Sequence, residues 1–132
     1  MLREFLETLC LELDLPPPPK EGAPLSFELT PELKISFQDL KAGVAFSSLL
    51  SPCPEKRREE LFTFLMRANL LGQGTGGSRI GLTADETHLT LSLGLPYELK
   101  PPDLRSKLED FVNYVTYWRE EVDKFEKEEP LV

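Results

Sequence analysis

A chain of 132 residues that is 40% hydrophobic and 29% charged has the makeup of one soluble domain with a sizeable core, which argues against wholesale disorder. Its formal net charge of -8 repels a polyphosphate backbone. No basic run exceeds Lys56-Arg57-Arg58, so direct nucleic-acid binding is not expected. Arg3, Glu4, Glu7, Glu12 and Asp14 break up the N-terminal leucines, and no apolar stretch approaches the length of about 18 residues that a membrane span needs, so neither an export signal nor membrane insertion is expected. We expect a single domain over residues 1–132.

Leu2, Phe5, Leu6, Leu9, Cys10 and Leu13 recur at i, i+3, i+4, i+7 spacing with acidic residues between them, which predicts an amphipathic first helix that stops by Leu15. Pro16 to Pro19 cannot continue a helix; they read as a rigid polyproline linker of about 12 Å. Leu25, Phe27 and Leu29, then Leu33, Ile35 and Phe37 after the Thr30-Pro31-Glu32 turn, alternate with polar residues and predict two half-buried antiparallel strands. Gly43 to Leu50 is a third strand, interrupted by Ser47-Ser48. Pro54 suits the first position of the next helix, in which Leu61, Phe62, Phe64, Leu65, Met66, Ala68, Leu70 and Leu71 put apolar groups on nearly every side. A small domain cannot easily cover such a helix alone, so a second chain is expected to cover it.

Gly72-Gln73-Gly74-Thr75-Gly76-Gly77 follows as a flexible turn, with Gly72 suited to cap the helix. Short strands are predicted around Arg79 to Leu82 and through Leu89, Leu91 and Leu93, joined by a turn at Ala84-Asp85-Glu86. Pro101-Pro102-Asp103 opens a long helix whose Leu104, Leu108, Phe111, Val112, Val115, Trp118, Val122 and Phe125 keep helical spacing to about Lys127. Residues 126–132 read as a frayed charged tail. The order α-β-β-β-α-β-β-α gives an α+β fold: a twisted antiparallel sheet with helices packed on one face.

No constellation proposes catalysis. The glycine-rich run lies between a helix and a strand, whereas phosphate loops lead into a helix. His88, the single histidine, falls on the polar side of a strand with no motif linking it to a nucleophile. Glu59-Glu60 and Glu120-Glu121 are adjacent on helices and point apart. Trp118 is in line with core residues. Cys10 and Cys53 lack metal-ligand spacing and read as reduced, partly buried thiols. We therefore expect no enzyme activity, no cofactor and no metal.

In Leu65, Ala68-Asn69, Gly76-Gly77, Ile80-Gly81-Leu82, Phe111 and Trp118-Arg119, and in nearly its whole element order, the chain resembles the class I type III secretion chaperones, the CesT/SycE-like group of small acidic bacterial proteins. The resemblance implies a cytoplasmic, non-enzymatic chaperone that keeps the N-terminal non-globular segment of a secreted effector or secretion regulator soluble. It implies a dimer about the central helix and the following strand, at Leu61, Phe62, Phe64, Leu65, Met66, Ala68, Asn69, Leu70, Arg79 and Ile80, with a homodimer and a heterodimer with a related chaperone both open. It places partner binding on the first helix and early strands, at Leu2, Phe5, Leu6, Leu9, Phe27, Ile35 and Phe37, with a partner strand added to a sheet edge. The alternative is a regulatory protein that controls transcription by binding a protein of the transcription machinery.

Overall fold

The computed structural model describes residues 2–15, 25–40, 43–70, 74–97 and 99–127. In chain order they form α1 (Leu2–Glu12), β1 (Leu25–Thr30), β2 (Leu33–Leu40), β3 (Gly43–Pro52), α2 (Arg58–Asn69), β4 (Arg79–Leu82), β5 (His88–Leu95) and α3 (Pro101–Lys127). The strands make one sheet in the order β1-β2-β3-β5-β4, every neighbouring pair antiparallel. The predicted order of elements is the observed one. The tetraproline, Gly72 and residues 128–132 lie outside the described residues. Glu126 and Lys127 belong to the last turn of α3, where Lys127 Nζ lies 2.8 Å from Asp123 Oδ2.

Alternation decides which face of the sheet is covered. Leu33, Ile35 and Phe37 of β2, Val44, Phe46 and Leu50 of β3, and Leu89 and Leu91 of β5 are buried, whereas Lys34, Ser36, Gln38, Ser47, Leu49 and Ser92 are exposed. The helices supply Leu6, Leu9 and Cys10, Leu61 and Leu65, and the α3 stripe Leu104, Leu108, Phe111, Val115, Trp118 and Val122 to the same core. Aromatic rings bridge the two layers: Phe46 packs edge-on to Phe37 with centroids 5.3 Å apart, and 5.7 Å from Phe111. Each such buried side chain contributes about 1.5–3 kcal/mol relative to exposure.

Two expectations are corrected. Ser47-Ser48 does not interrupt β3, whose inward face runs Val44, Phe46, Ser48, Leu50 without a break. Ser48 is buried at no polar cost because its hydroxyl donates to Lys34 O at 2.9 Å, which replaces the water it gives up. Where the β3–β5 register shifts between Leu49 and Ser51, Arg119 of α3 donates to the carbonyls of Leu49 and Leu50 at 2.8 and 2.9 Å. Burial draws the Arg119 pKa below its ordinary value, opposed by the nearby Glu32.

The second correction concerns α2, which begins at Arg58, not Pro54. Arg57 sits in the left-handed region at φ 60° as its N-cap residue. Its guanidinium lies 4.3 Å over the Phe125 ring, donates to Phe125 O at 3.1 Å, and pairs with Glu60 at 2.8 Å. Arg57 thus ties the start of α2 to the end of α3, and that tertiary contact overrides the local preference of proline for a helix start.

The β4–β5 turn carries a pH-dependent element. Asp85 Oδ1 accepts from Thr83 Oγ1 at 2.6 Å, Thr87 Oγ1 at 2.7 Å and Thr87 N at 3.1 Å. The Thr83 hydroxyl first, then that of Thr87, hold its pKa down to about 2, against an ordinary value of about 3.9. A depressed carboxylate stabilises the fold above its unfolded pKa and loses that contribution as pH falls through about 2. The stability gap between wild type and Asp85→Ala, followed by thermal denaturation, should therefore be full at pH 5 and shrink steadily toward pH 2.

Candidate protein-binding surfaces

The first surface is built on α2 and β4. Helical periodicity turns Leu61 and Leu65 onto the core, at 0% and 4% exposure, and leaves Phe62, Phe64 and Ala68 partly buried against it. Phe64 stacks on Phe125 at 6.0 Å and tilts against Trp118 at 5.7 Å, so α3 holds the inner side of α2. On the outer side, Met66 is 71%, Leu70 64% and Leu82 37% exposed. Arg79 is exposed and folds back so that its guanidinium donates to Ser78 O at 3.0 Å. Ile80 is buried, while its backbone N–H and C=O are both held by the Asn69 amide at 2.8 and 2.9 Å. Of the ten residues expected at a subunit interface, Leu61, Leu65 and Ile80 pack inward in the protomer, and Met66, Leu70 and Arg79 face solvent.

The glycine turn sets the geometry of this surface. Residues 74–77 form a turn docked on the helices: Trp118 Nε1–H donates to Gly74 O at 2.8 Å, and Gly74 N–H donates to Ala68 O at 3.2 Å. Thr75 is fully buried and its hydroxyl donates to Ser78 O at 2.5 Å. Gly76 and Gly77 have φ +62° and +87°, which side-chain-bearing residues rarely adopt. Residues 74–77 thus fix the approach of β4 to α2. α2 ends at Asn69, ahead of the glycine expected to cap it, and Leu70 N–H donates to Arg67 O at the helix end.

The second surface is a groove of about 590 Å³ between α1, the start of β3 and the segment leading into α3. Phe5 and Leu9 form its α1 wall, Val44 and Leu104 its floor, and Tyr97 and Leu99 its far side, with Glu4, Glu12 and Arg105 on the rim. Tyr97 is 50% exposed. Arg105 pairs with Glu12 and, at 3.4 Å, with Glu109, which ties α3 to α1. Of the residues expected to bind a partner, Phe5 and Leu9 line this groove, whereas Leu6, Ile35 and Phe37 lie in the core at 0%, 0% and 5% exposure. The side chains of Leu2 and Phe27 lie outside the described residues. Sequence reasoning missed Tyr97 and Leu99 because Pro96-Tyr97-Glu98-Leu99 falls between β5 and α3, where no period marks a face; its apolar content was the available signal.

The Nδ1 of partly buried His88 lies 2.9 Å from Thr87 Oγ1 in the turn, and no cluster of three or more His, Cys, Asp or Glu suited to a metal occurs among the described residues. Cys10 and Cys53 are free and buried, and burial pushes the Cys10 thiol pKa up. No described helix is long and apolar enough to cross a membrane.

The model of the Tir chaperone protein (CesT) family matches residues 4–119. The chain belongs to that family. No curated protein matches its sequence. Solved structures share the family chain's fold at low identity. The structure titled as the ExsC-ExsE complex has a TM-score of 0.68 at 11% identity, covering 90% of this chain and 91% of that one. The HopA1-SchA chaperone-effector complex gives 0.66 at 15% identity, covering 90% and 93%. The heterodimeric ExoU-SpcU complex from the type III secretion system of Pseudomonas aeruginosa gives 0.65 at 12% identity, covering 92% and 93%. The α+β architecture of this CesT-family chain is therefore the one found in those complexes.

Proposed function

We propose that this CesT-family chain is a type III secretion chaperone that binds the N-terminal non-globular segment of a secreted effector or secretion regulator in the bacterial cytoplasm and keeps it soluble and export-competent. Family membership over residues 4–119 carries the reading, and the apolar groove at Phe5, Leu9, Tyr97 and Leu99 supplies a surface on which an extended apolar segment can dock. The mechanism is burial without turnover: the chaperone covers apolar side chains that would otherwise drive association, and releases them when the partner is taken for export. No observation on the chain favours contact with the transcription machinery.

Co-expression with candidate secreted proteins tests the proposal. Recovery of a stable complex in which the chaperone protects the partner's N-terminal segment from protease is expected. Failure to recover any complex across the secreted proteins of the same cell would end it.

The same proposal includes a dimer on the α2–β4 face, supported by the apolar side chains left exposed there. Met66 is 71% exposed, so Met66→Glu should change the stability of the protomer by less than about 0.5 kcal/mol. Light scattering should read twice the chain mass of 15.0 kDa for wild type and 15.0 kDa for the variant. A variant that keeps the wild-type mass would move the interface elsewhere.

A further inference from the structure

β4 is an edge strand of the sheet, with β5 as its one neighbour in the strand order. In an antiparallel ladder, alternate residues turn their N–H and C=O toward the paired strand and away from it. Along β4, Thr83 N–H continues the ladder by donating to His88 O at 2.9 Å, so by alternation Arg79 and Gly81 face β5 while Ile80 and Leu82 face outward. The outward pair at Ile80 is taken by one side chain: Asn69 Oδ1 accepts from Ile80 N–H at 2.8 Å and Asn69 Nδ2 donates to Ile80 O at 2.9 Å. A primary amide offers the same donor and acceptor as a backbone peptide. Asn69 therefore stands where a neighbouring strand would stand.

From this arrangement we infer that Asn69 is the specificity-determining residue of the α2–β4 face: it closes β4 to backbone pairing, so that a second copy of this chain seats there by side-chain packing alone and cannot extend the sheet. The inference rests on the dimer proposed above. Met66, Leu70 and Leu82, at 71%, 64% and 37% exposure, supply the apolar contact. At the start of α2, Arg57 is held by Glu60 and Phe125 and Arg58 by Pro54 O, which leaves exposed Glu59 in the first turn and exposed Arg67 in the last. Two such helices crossing antiparallel about a twofold axis set Arg67 of each copy beside Glu59 of the other, with their dipoles opposed. An unblocked four-residue edge beside this patch would invite strand pairing and open-ended association.

Amide exchange and molar mass together test this. In wild type, the Ile80 amide should be protected to the same degree at high concentration and after dilution to separated protomers, because Asn69 belongs to the same chain. Protection that vanishes on dilution would mean that Ile80 pairs with the other copy's backbone, and would overturn the role of Asn69. Asn69→Leu should speed Ile80 exchange by about tenfold, the factor expected for losing one hydrogen bond of ordinary strength. Its mass should climb with concentration past two copies, with an intermolecular-sheet band in the infrared. Asn69→Asp, which keeps the acceptor for Ile80 N–H, should retain much of the protection. An Asn69→Leu protein with wild-type mass and wild-type Ile80 exchange would refute the proposal. If Asn69→Leu does not fold, the dilution experiment on wild type decides alone. A wild type that stays monomeric at every concentration would instead remove the dimer on which the proposal rests, an outcome distinct from free exchange at Ile80.

Discussion

Replacing Trp118 by alanine is expected to cost about 3–5 kcal/mol of stability, the range for truncating a buried aromatic, and to lower the melting temperature by about 10–20 °C in a chain of this size. The ring is 3% exposed and lies 5.7 Å from Phe64 and 5.2 Å from Tyr117 between centroids, so truncation opens a cavity where α2 meets α3. The loss is also polar. Without the indole N–H, the Gly74 carbonyl loses the donor that holds it at 2.8 Å. Trp118→Phe separates the two contributions: it keeps most of the apolar volume, and should cost about 1–3 kcal/mol for the unpaired carbonyl and the small void. Urea unfolding of both variants reads the difference. If Trp118→Phe were indistinguishable from wild type, the hydrogen bond would not be what fixes the turn. Because that turn carries the chain from α2 to β4, Trp118→Ala should also weaken the dimer proposed on that face, although it contributes no atom to the exposed patch.

How much of this was legible before the structure depends on how local the physics is. Alternation in Leu33-Ile35-Phe37 and helical spacing from Leu104 to Val122 report directly on which face is buried, so the element order and most of the core followed from them. Ser48 did not, because a buried hydroxyl is tolerated only through a partner 14 positions away in sequence, Lys34 O. The start of α2 was misplaced for a similar reason: Pro54 has the right local preference, but Arg57 is drawn to Phe125, a contact no window of sequence displays. Asn69 was placed in the interface region by resemblance, yet its clamp on Ile80 depends on two elements meeting in space. The groove was half visible. Phe5 and Leu9 lie on a periodic helix, while Tyr97 and Leu99 come from a connection whose path only the fold reveals.

Gly76→Ala should destabilise the chain by about 2–5 kcal/mol, by two separable routes. The backbone sits at φ +62°, where a side-chain-bearing residue costs about 1–2 kcal/mol. A Cβ there would also lie 2.8 Å from Tyr114 Cζ and 3.0 Å from Cδ2, and such overpacking costs about 1–3 kcal/mol. The ring is partly buried against the core, so it cannot simply swing into solvent. A double-mutant cycle with Tyr114→Ala should show a coupling of about 1–3 kcal/mol, since removing the ring removes the clash but not the backbone penalty. Asparagine tolerates the left-handed region better than alanine but carries the same Cβ. Gly76→Asn should therefore recover only the backbone share, and remain clearly less stable than wild type in thermal denaturation. A Gly76→Asn protein as stable as wild type would mean that Tyr114 yields at little cost, and that the turn leading into β4 is set by its backbone conformation and not by its packing on α3.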